Sequence, residues 1–209
     1  MRWYDVFSLF YDRSLEQTYR AYRVQAVERL RLAPGATVLD LACGTGQNFP
    51  ALVEAVSPTG QVLGVDLSRG MLARARQRIA RAGWKNVHLL EQDAQTLAEA
   101  DLAEFTGGRP LDGALCTLGL TVIPDWRPVF EATFALLRSG GRYALLDVHA
   151  PERSFQTRMV ELFARADVGR KVWEPLEALA SDFTLEETDA PAKTVGGTLF
   201  VASGTRPPA

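Results

Sequence analysis

The sequence predicts an α/β fold built on a mostly parallel sheet with helices on both faces. Three observations predict it. Short apolar runs alternate with helical patterns from Thr37 onward, the signature of parallel strands joined by crossover helices. The first three of those runs each end close to an acid, Asp40, Asp66 or Asp93. Finally, two β-like runs flank Gly196-Gly197 near the C-terminus, which reads as an antiparallel hairpin.

In chain order, strands are expected at 36–42, 61–66, 86–91, 112–118 and 141–147. Helices are expected at 47–56, 69–83, 95–104 and 127–138. Pro58-Thr-Gly60, Gly107-Gly108-Arg-Pro110 and Ser139-Gly140-Gly141 punctuate them as turns. After the fifth strand come helical stretches near 152–168 and 173–181, then the β-like runs 183–189 and 198–204. Only the tail from Arg206 to Ala209 reads as disordered.

Length and composition set the bounds. A chain of 209 residues is expected to form one domain with a sizeable core. Its 47% apolar and 23% charged residues are ordinary for a globular protein. A net charge of −2 gives no overall attraction to nucleic acid or an anionic membrane. No apolar run approaches the ~20 residues that span a bilayer, and the N-terminus lacks the pattern of a secretion signal. Two cysteines, Cys43 and Cys116, sit at the ends of predicted buried strands. They read as small buried thiols in a reducing, cytoplasmic setting. No Cys/His cluster has metal-ligand spacing, so no metal is expected.

The richest segment runs from Thr37 to Gln47. An apolar strand carrying Asp40 breaks into Ala42-Cys43-Gly44-Thr45-Gly46. Glycines permit positive φ and close approach of the backbone to a ligand, and a helix opening there offers free N–H groups. An acid at such a turn repels pyrophosphate and suits an ammonium or a hydroxyl. The dinucleotide pattern Gly-x-Gly-x-x-Gly also fails, because Phe49 stands at its third glycine.

That run resembles the first motif of the class I S-adenosylmethionine-dependent methyltransferases, Asp-x-Gly/Ala-x-Gly-x-Gly, met here by Asp40, Ala42, Gly44 and Gly46. The resemblance extends over 36–205 and implies a Rossmann-like, seven-stranded sheet with a C-terminal antiparallel hairpin. It implies that Asp66, with Leu67 beside it, accepts the ribose hydroxyls and that Met71 packs on the adenine. It implies further that Asp93 and Ala94 meet the adenine edge, and that Cys116, Thr117 and Leu118 face the methionine part. Taken alone, Met71 reads equally as core and Asp93 as a helix N-cap. The segment after the fourth strand lacks the Asn/Asp-Pro-Pro-Tyr motif of relatives that methylate bases and glutamine.

Residues 1–35 resemble the N-terminal helical lid of enzymes that methylate quinone precursors and phospholipid head groups. Tyr11 and Arg23 take the places that close over the cofactor carboxylate there. The alternative, a membrane-surface helix over 3–10, is disfavoured by Asp5 and Asp12, so peripheral membrane contact is not favoured. The basic stretch 69–85 could mark an RNA footprint, but the acids that follow it favour a solvated surface. His149, next to the end of the fifth strand, is the candidate general base, and Asp125-Trp126 could add an apolar wall for the acceptor. The expected function is methyl transfer from S-adenosylmethionine, releasing S-adenosylhomocysteine, to a small molecule or lipid head group, by a monomer or homodimer. RNA- or protein-directed methylation, and a regulator that binds the cofactor without turnover, are the alternatives.

Overall fold

A computed structural model describes residues 19–152, 161, 165–190 and 196–208. The expected site residue Tyr11, and most of the helix expected at 152–168, lie outside those residues.

One seven-stranded sheet runs in the order β3-β2-β1-β4-β5-β7-β6. Its strands are β1 (Thr37–Leu41), β2 (Gln61–Asp66), β3 (Val87–Glu91), β4 (Leu111–Thr117), β5 (Leu137–His149), β6 (Ser181–Glu187) and β7 (Thr198–Thr205). The first five are parallel, and β7 lies antiparallel between β5 and β6. The chain leaves β1 toward β2 and β3, then returns to place β4 on the other side of β1. That reversal opens a crevice beyond the C-terminal ends of β1 and β4, where open α/β sheets hold ligands.

Helices α1 (19–29), α2 (Phe49–Val56) and α3 (Arg69–Ala82) accompany one face; α4 (Glu99–Thr106), α5 (Trp126–Ala135) and α6 (Glu174–Leu179) are also among the described residues. Strand alternation divides the core accordingly. Val38, Leu115, Leu146 and Val201 pack with Val27 of α1 and Leu52 of α2. Leu39, Leu145 and Phe200 pack with Phe130 of α5 and Leu176 of α6. Helix ends follow local chemistry: the Ser68 hydroxyl accepts from the Met71 amide at 3.3 Å to start α3, and Gly83 ends it at φ 70°.

Several expected boundaries shift. The helix expected at 95–104 divides into a 3-10 turn, Ala94–Thr96, and α4, because Asp93 caps the first and Asp101 Oδ2 accepts from the Ala98 amide to start the second. Ser139-Gly140-Gly141, expected as a turn, lies within β5. The strand register jumps from Leu111↔Leu137 to Gly113↔Arg142, and Gly140 at φ 76° absorbs the irregularity. Arg206 is no disordered tail. Its backbone pairs with Gly140 and Gly141 at 2.9 and 2.8 Å, and its guanidinium donates to the carbonyls of Ala135 and Leu137.

Candidate cofactor site

The loop after β1 turns on three positive φ angles: Ala42 at 54°, Gly44 at 56° and Gly46 at 77°. Two of these need glycine for different reasons. A Cβ on Gly46 would stand 2.4 Å from the Phe49 ring, whereas one on Gly44 would project into open space. The loop is stapled to β2 by the Cys43 amide on the Val65 carbonyl at 3.0 Å. Asp66 completes the staple, accepting from the Gly44 amide with one oxygen and the Ser68 amide with the other, both at 2.8 Å. Burial raises the Asp66 pKa while these amides oppose the rise.

Deeper in the crevice lies a buried polar network. Asn48 donates to Asp40 Oδ1 at 2.8 Å and to Thr117 Oγ1 at 3.0 Å. Arg23 Nη1 donates to Asn48 Oδ1 at 3.0 Å and to Thr117 Oγ1 at 2.5 Å. With two bonds accepted, Thr117 keeps its hydroxyl proton to donate. Asp40 Oδ2 is buried and has no hydrogen-bond partner among the described residues. Burial pushes the Asp40 carboxyl up to about 7, opposed by the Asn48 bond and the Arg23 charge. A buried, unfilled carboxylate oxygen is costly unless a donor or cation reaches it, and an ammonium group would do so.

The sequence's site residues divide cleanly. Arg23, Asp40 and Thr117 meet in this network, and Ala42, Cys43, Gly44, Gly46 and Asp66 form the adjoining loop. Leu67 is exposed, Met71 half-buried, and Asp93 spends an oxygen on the Gln95 amide at 3.0 Å. Cys43 and Cys116 are both free and buried, with thiol pKa values pushed well up by burial, which makes them poor nucleophiles. Leu118 follows at φ 56°, its amide on the Leu146 carbonyl at 2.7 Å.

His149 is not brought to the network. It shares the strand face of Tyr143 and Leu145, opposite that of Asp40 and Thr117, and meets the Trp173 ring edge-on at 4.9 Å. Burial and Lys171 lower its pKa. In the basic stretch, Arg69 pairs with Glu91 at 2.6 Å and Arg78 donates to the Thr45 carbonyl at 3.1 Å, so two of its arginines serve local contacts.

Sequence reasoning missed three structural contributors. Asn48 lies inside the helix expected at 47–56, and nothing in the spacing singles it out. Gly119 was unremarked, although a Cβ there would meet Cys116 Sγ at 2.6 Å and Ala42 Cβ at 2.9 Å, so only glycine lets the two loops touch. Asp147 is fully buried and holds the loop after β4 through the Thr121 hydroxyl at 2.9 Å. An acid inside the apolar run Ala144–Val148 was the available signal.

Comparison with known proteins agrees with this architecture. Residues 38–141 match a family model described as a methyltransferase domain. The demethylmenaquinone methyltransferase of Anoxybacillus flavithermus is 30% identical over 131 residues, covering 63% of this chain and 52% of that protein. That of Shouchella clausii is 30% identical over 158 residues, covering 72% and 64%. The chain thus spans between half and two thirds of the length of these relatives. A SAM-dependent methyltransferase structure from Aquifex aeolicus superposes with a TM-score of 0.63 at 18% identity, covering 96% of this chain and 97% of that one.

Proposed function

We propose that this chain is a class I S-adenosylmethionine-dependent methyltransferase and that it methylates a small aromatic acceptor of the quinone type. The observation that carries the cofactor site is the orphaned oxygen of Asp40 beside the Arg23–Asn48–Thr117 network, at the mouth where β1 and β4 part. A zwitterionic amino acid terminus suits these groups. Asp40 takes the ammonium, while Arg23 and the Thr117 hydroxyl take the carboxylate. The open space over Gly44 gives the ligand room against the loop. Asp66 holds the loop by its two amides and still has lone pairs for the ribose hydroxyls. Leu67, Met71, Asp93 and Ala94 border the adenine, and Cys116 and Leu118 flank Thr117.

Bound there, the cofactor supplies an electrophilic methylsulfonium carbon, so the protein contributes placement and dryness more than covalent chemistry. The loop after β4, held by Asp147, limits how the acceptor approaches. Arg170 strengthens that hold, donating to the Ile123 carbonyl at 2.6 Å and to Asp167 Oδ2 at 3.1 Å. An electron-rich ring would take the methyl group on a carbon or oxygen as the S–CH3 bond broke, with S-adenosylhomocysteine as the leaving group and the acceptor's proton passing to solvent. His149, turned toward Trp173, is given no part in that transfer. The acceptor class rests on the activity named for the relatives.

Labelled methyl donor incubated with a panel of hydroquinones, catechols and phospholipid head groups tests the proposal. Label is expected in a hydroquinone-type product, and label confined to head groups would reverse the acceptor class. Calorimetric titration tests the pocket: Asp66→Ala and Gly44→Val are each expected to weaken cofactor affinity tenfold or more, about 1.4 kcal/mol. Unchanged titrations for both would falsify the assignment.

A further inference from the structure

Asn48 occupies the N-cap position of α2, where asparagine ordinarily accepts a backbone N–H. Here its side chain makes no such bond. It is almost completely buried, at 1% exposure. Both of its amide protons are given away, to Asp40 and Thr117, and its carbonyl oxygen receives the Arg23 guanidinium. One side chain therefore links α1, β1 and the end of β4. Helix capping does not explain it.

We infer that Asn48 is a positioning residue for the cofactor's amino acid end: it anchors Asp40 by one oxygen, leaves the other for a cation, and seats Arg23 against Thr117. The inference rests on the methyltransferase reading and deepens it. Only a side chain that donates and accepts at once can hold an acid on one side and a guanidinium on the other. Aspartate would face Asp40 with a like charge, and leucine would strand both partners in a buried site. The Asn48 bond also favours the anionic form of Asp40, the form an ammonium needs, against burial and the neighbouring Asp66. The groups whose charge or thiol bears on Asp40 are Arg23 from α1, Asp66 from β2, Cys116 from β4 and Cys43 from its own loop.

The test is calorimetric titration of S-adenosylhomocysteine into the full chain between pH 6 and 9. Asn48→Asp is expected to lower affinity about tenfold or more, the scale of one buried charge-assisted hydrogen bond. Asn48→Ser, a residue well suited to a helix start, guards against loss of folding. It is expected to weaken binding and move the acid limb of the binding profile to higher pH. On an Asp40→Asn background, Asn48→Asp is expected to cost less than about twofold more, since the two act as one unit. Strictly additive losses, or a serine variant with wild-type affinity and profile, overturn the inference. A wild-type chain that takes up no S-adenosylhomocysteine overturns the reading beneath it as well.

Discussion

At the scale of single residues, two glycines two positions apart do different jobs. Gly44 and Gly46 both hold positive φ, so alanine at either adds about 1–2 kcal/mol of backbone strain. Only at Gly46 does the new methyl also strike a buried ring, that of Phe49. Urea denaturation should therefore show Gly46→Ala less stable than Gly44→Ala by about 1–3 kcal/mol, the range of overpacking. Equal losses would mean that Phe49 moves aside freely. Asp40 makes a second residue-scale case, in the sign of its pH dependence. Its pKa in the folded chain, about 7, lies above the ordinary 3.8 of an unfolded carboxyl. The folded state thus binds the proton more tightly, and the contribution to stability is present below about pH 4 and lost as pH rises through about 7. Asp40→Asn removes that dependence. Without ligand, melting temperatures should show the variant nearly matching the wild type at pH 4, gaining on it as pH rises to about 7, and keeping a constant lead above that. A constant offset across the range would contradict the assignment.

Among the elements, α1 is the described part of the segment expected to form a lid. Residues 1–35 read as a lid, yet the described helix 19–29 is fastened into the body of the fold. Tyr19, Ala26 and Val27 are buried, the Tyr22 hydroxyl donates to Asp189 at 2.7 Å, and Arg29 pairs with Glu186. Arg142 of β5 reaches the Arg29 carbonyl at 2.7 Å, Asp182 at 2.7 Å and Thr205 Oγ1 at 2.6 Å. Because Arg142 is buried and satisfies several acceptors at once, Arg142→Ala should cost about 2–4 kcal/mol in urea denaturation, the half-exposed Asp182 contributing the smaller share. Arg29→Ala removes only a partly exposed pair and should cost no more than about 1 kcal/mol. Such contacts also mark where the sequence stops being legible. Asp40 and Asp66 stood out because an acid closing an apolar run is a local pattern, and five strands followed from local alternation. The pairing of β7 with β5 as well as β6, and the meeting of Arg23 with Thr117, join segments far apart in the chain. No periodicity encodes those contacts. Neither could spacing show that Asn48 would turn from its helix toward Asp40.

Over the whole molecule, the sheet separates two tasks. Arg23, Asp40, Asn48 and Thr117 lie on the side of α1 and α2, while the aromatic cluster of Phe130, Phe134 and Tyr143 fills the side of α5. Within that cluster Tyr143 is buried and its hydroxyl meets Thr133 Oγ1 at 3.0 Å. A layer of sheet lies between the two groups, and neighbouring layers in such folds are spaced about 10 Å apart. Substitutions at that separation without shared partners usually act independently. Phe130→Ala should accordingly cost about 3–5 kcal/mol of stability, yet leave S-adenosylhomocysteine affinity within about twofold of wild type when titrated well below its melting temperature. His149→Phe keeps a ring against Trp173 on that same side and should behave likewise toward the cofactor. Asn48→Ser should show the reverse pattern, a modest change in stability and a large one in affinity. If Phe130→Ala weakened binding as much as Asn48→Ser, the sheet would be transmitting packing changes from one face to the other, and the two-sided division of labour would be wrong.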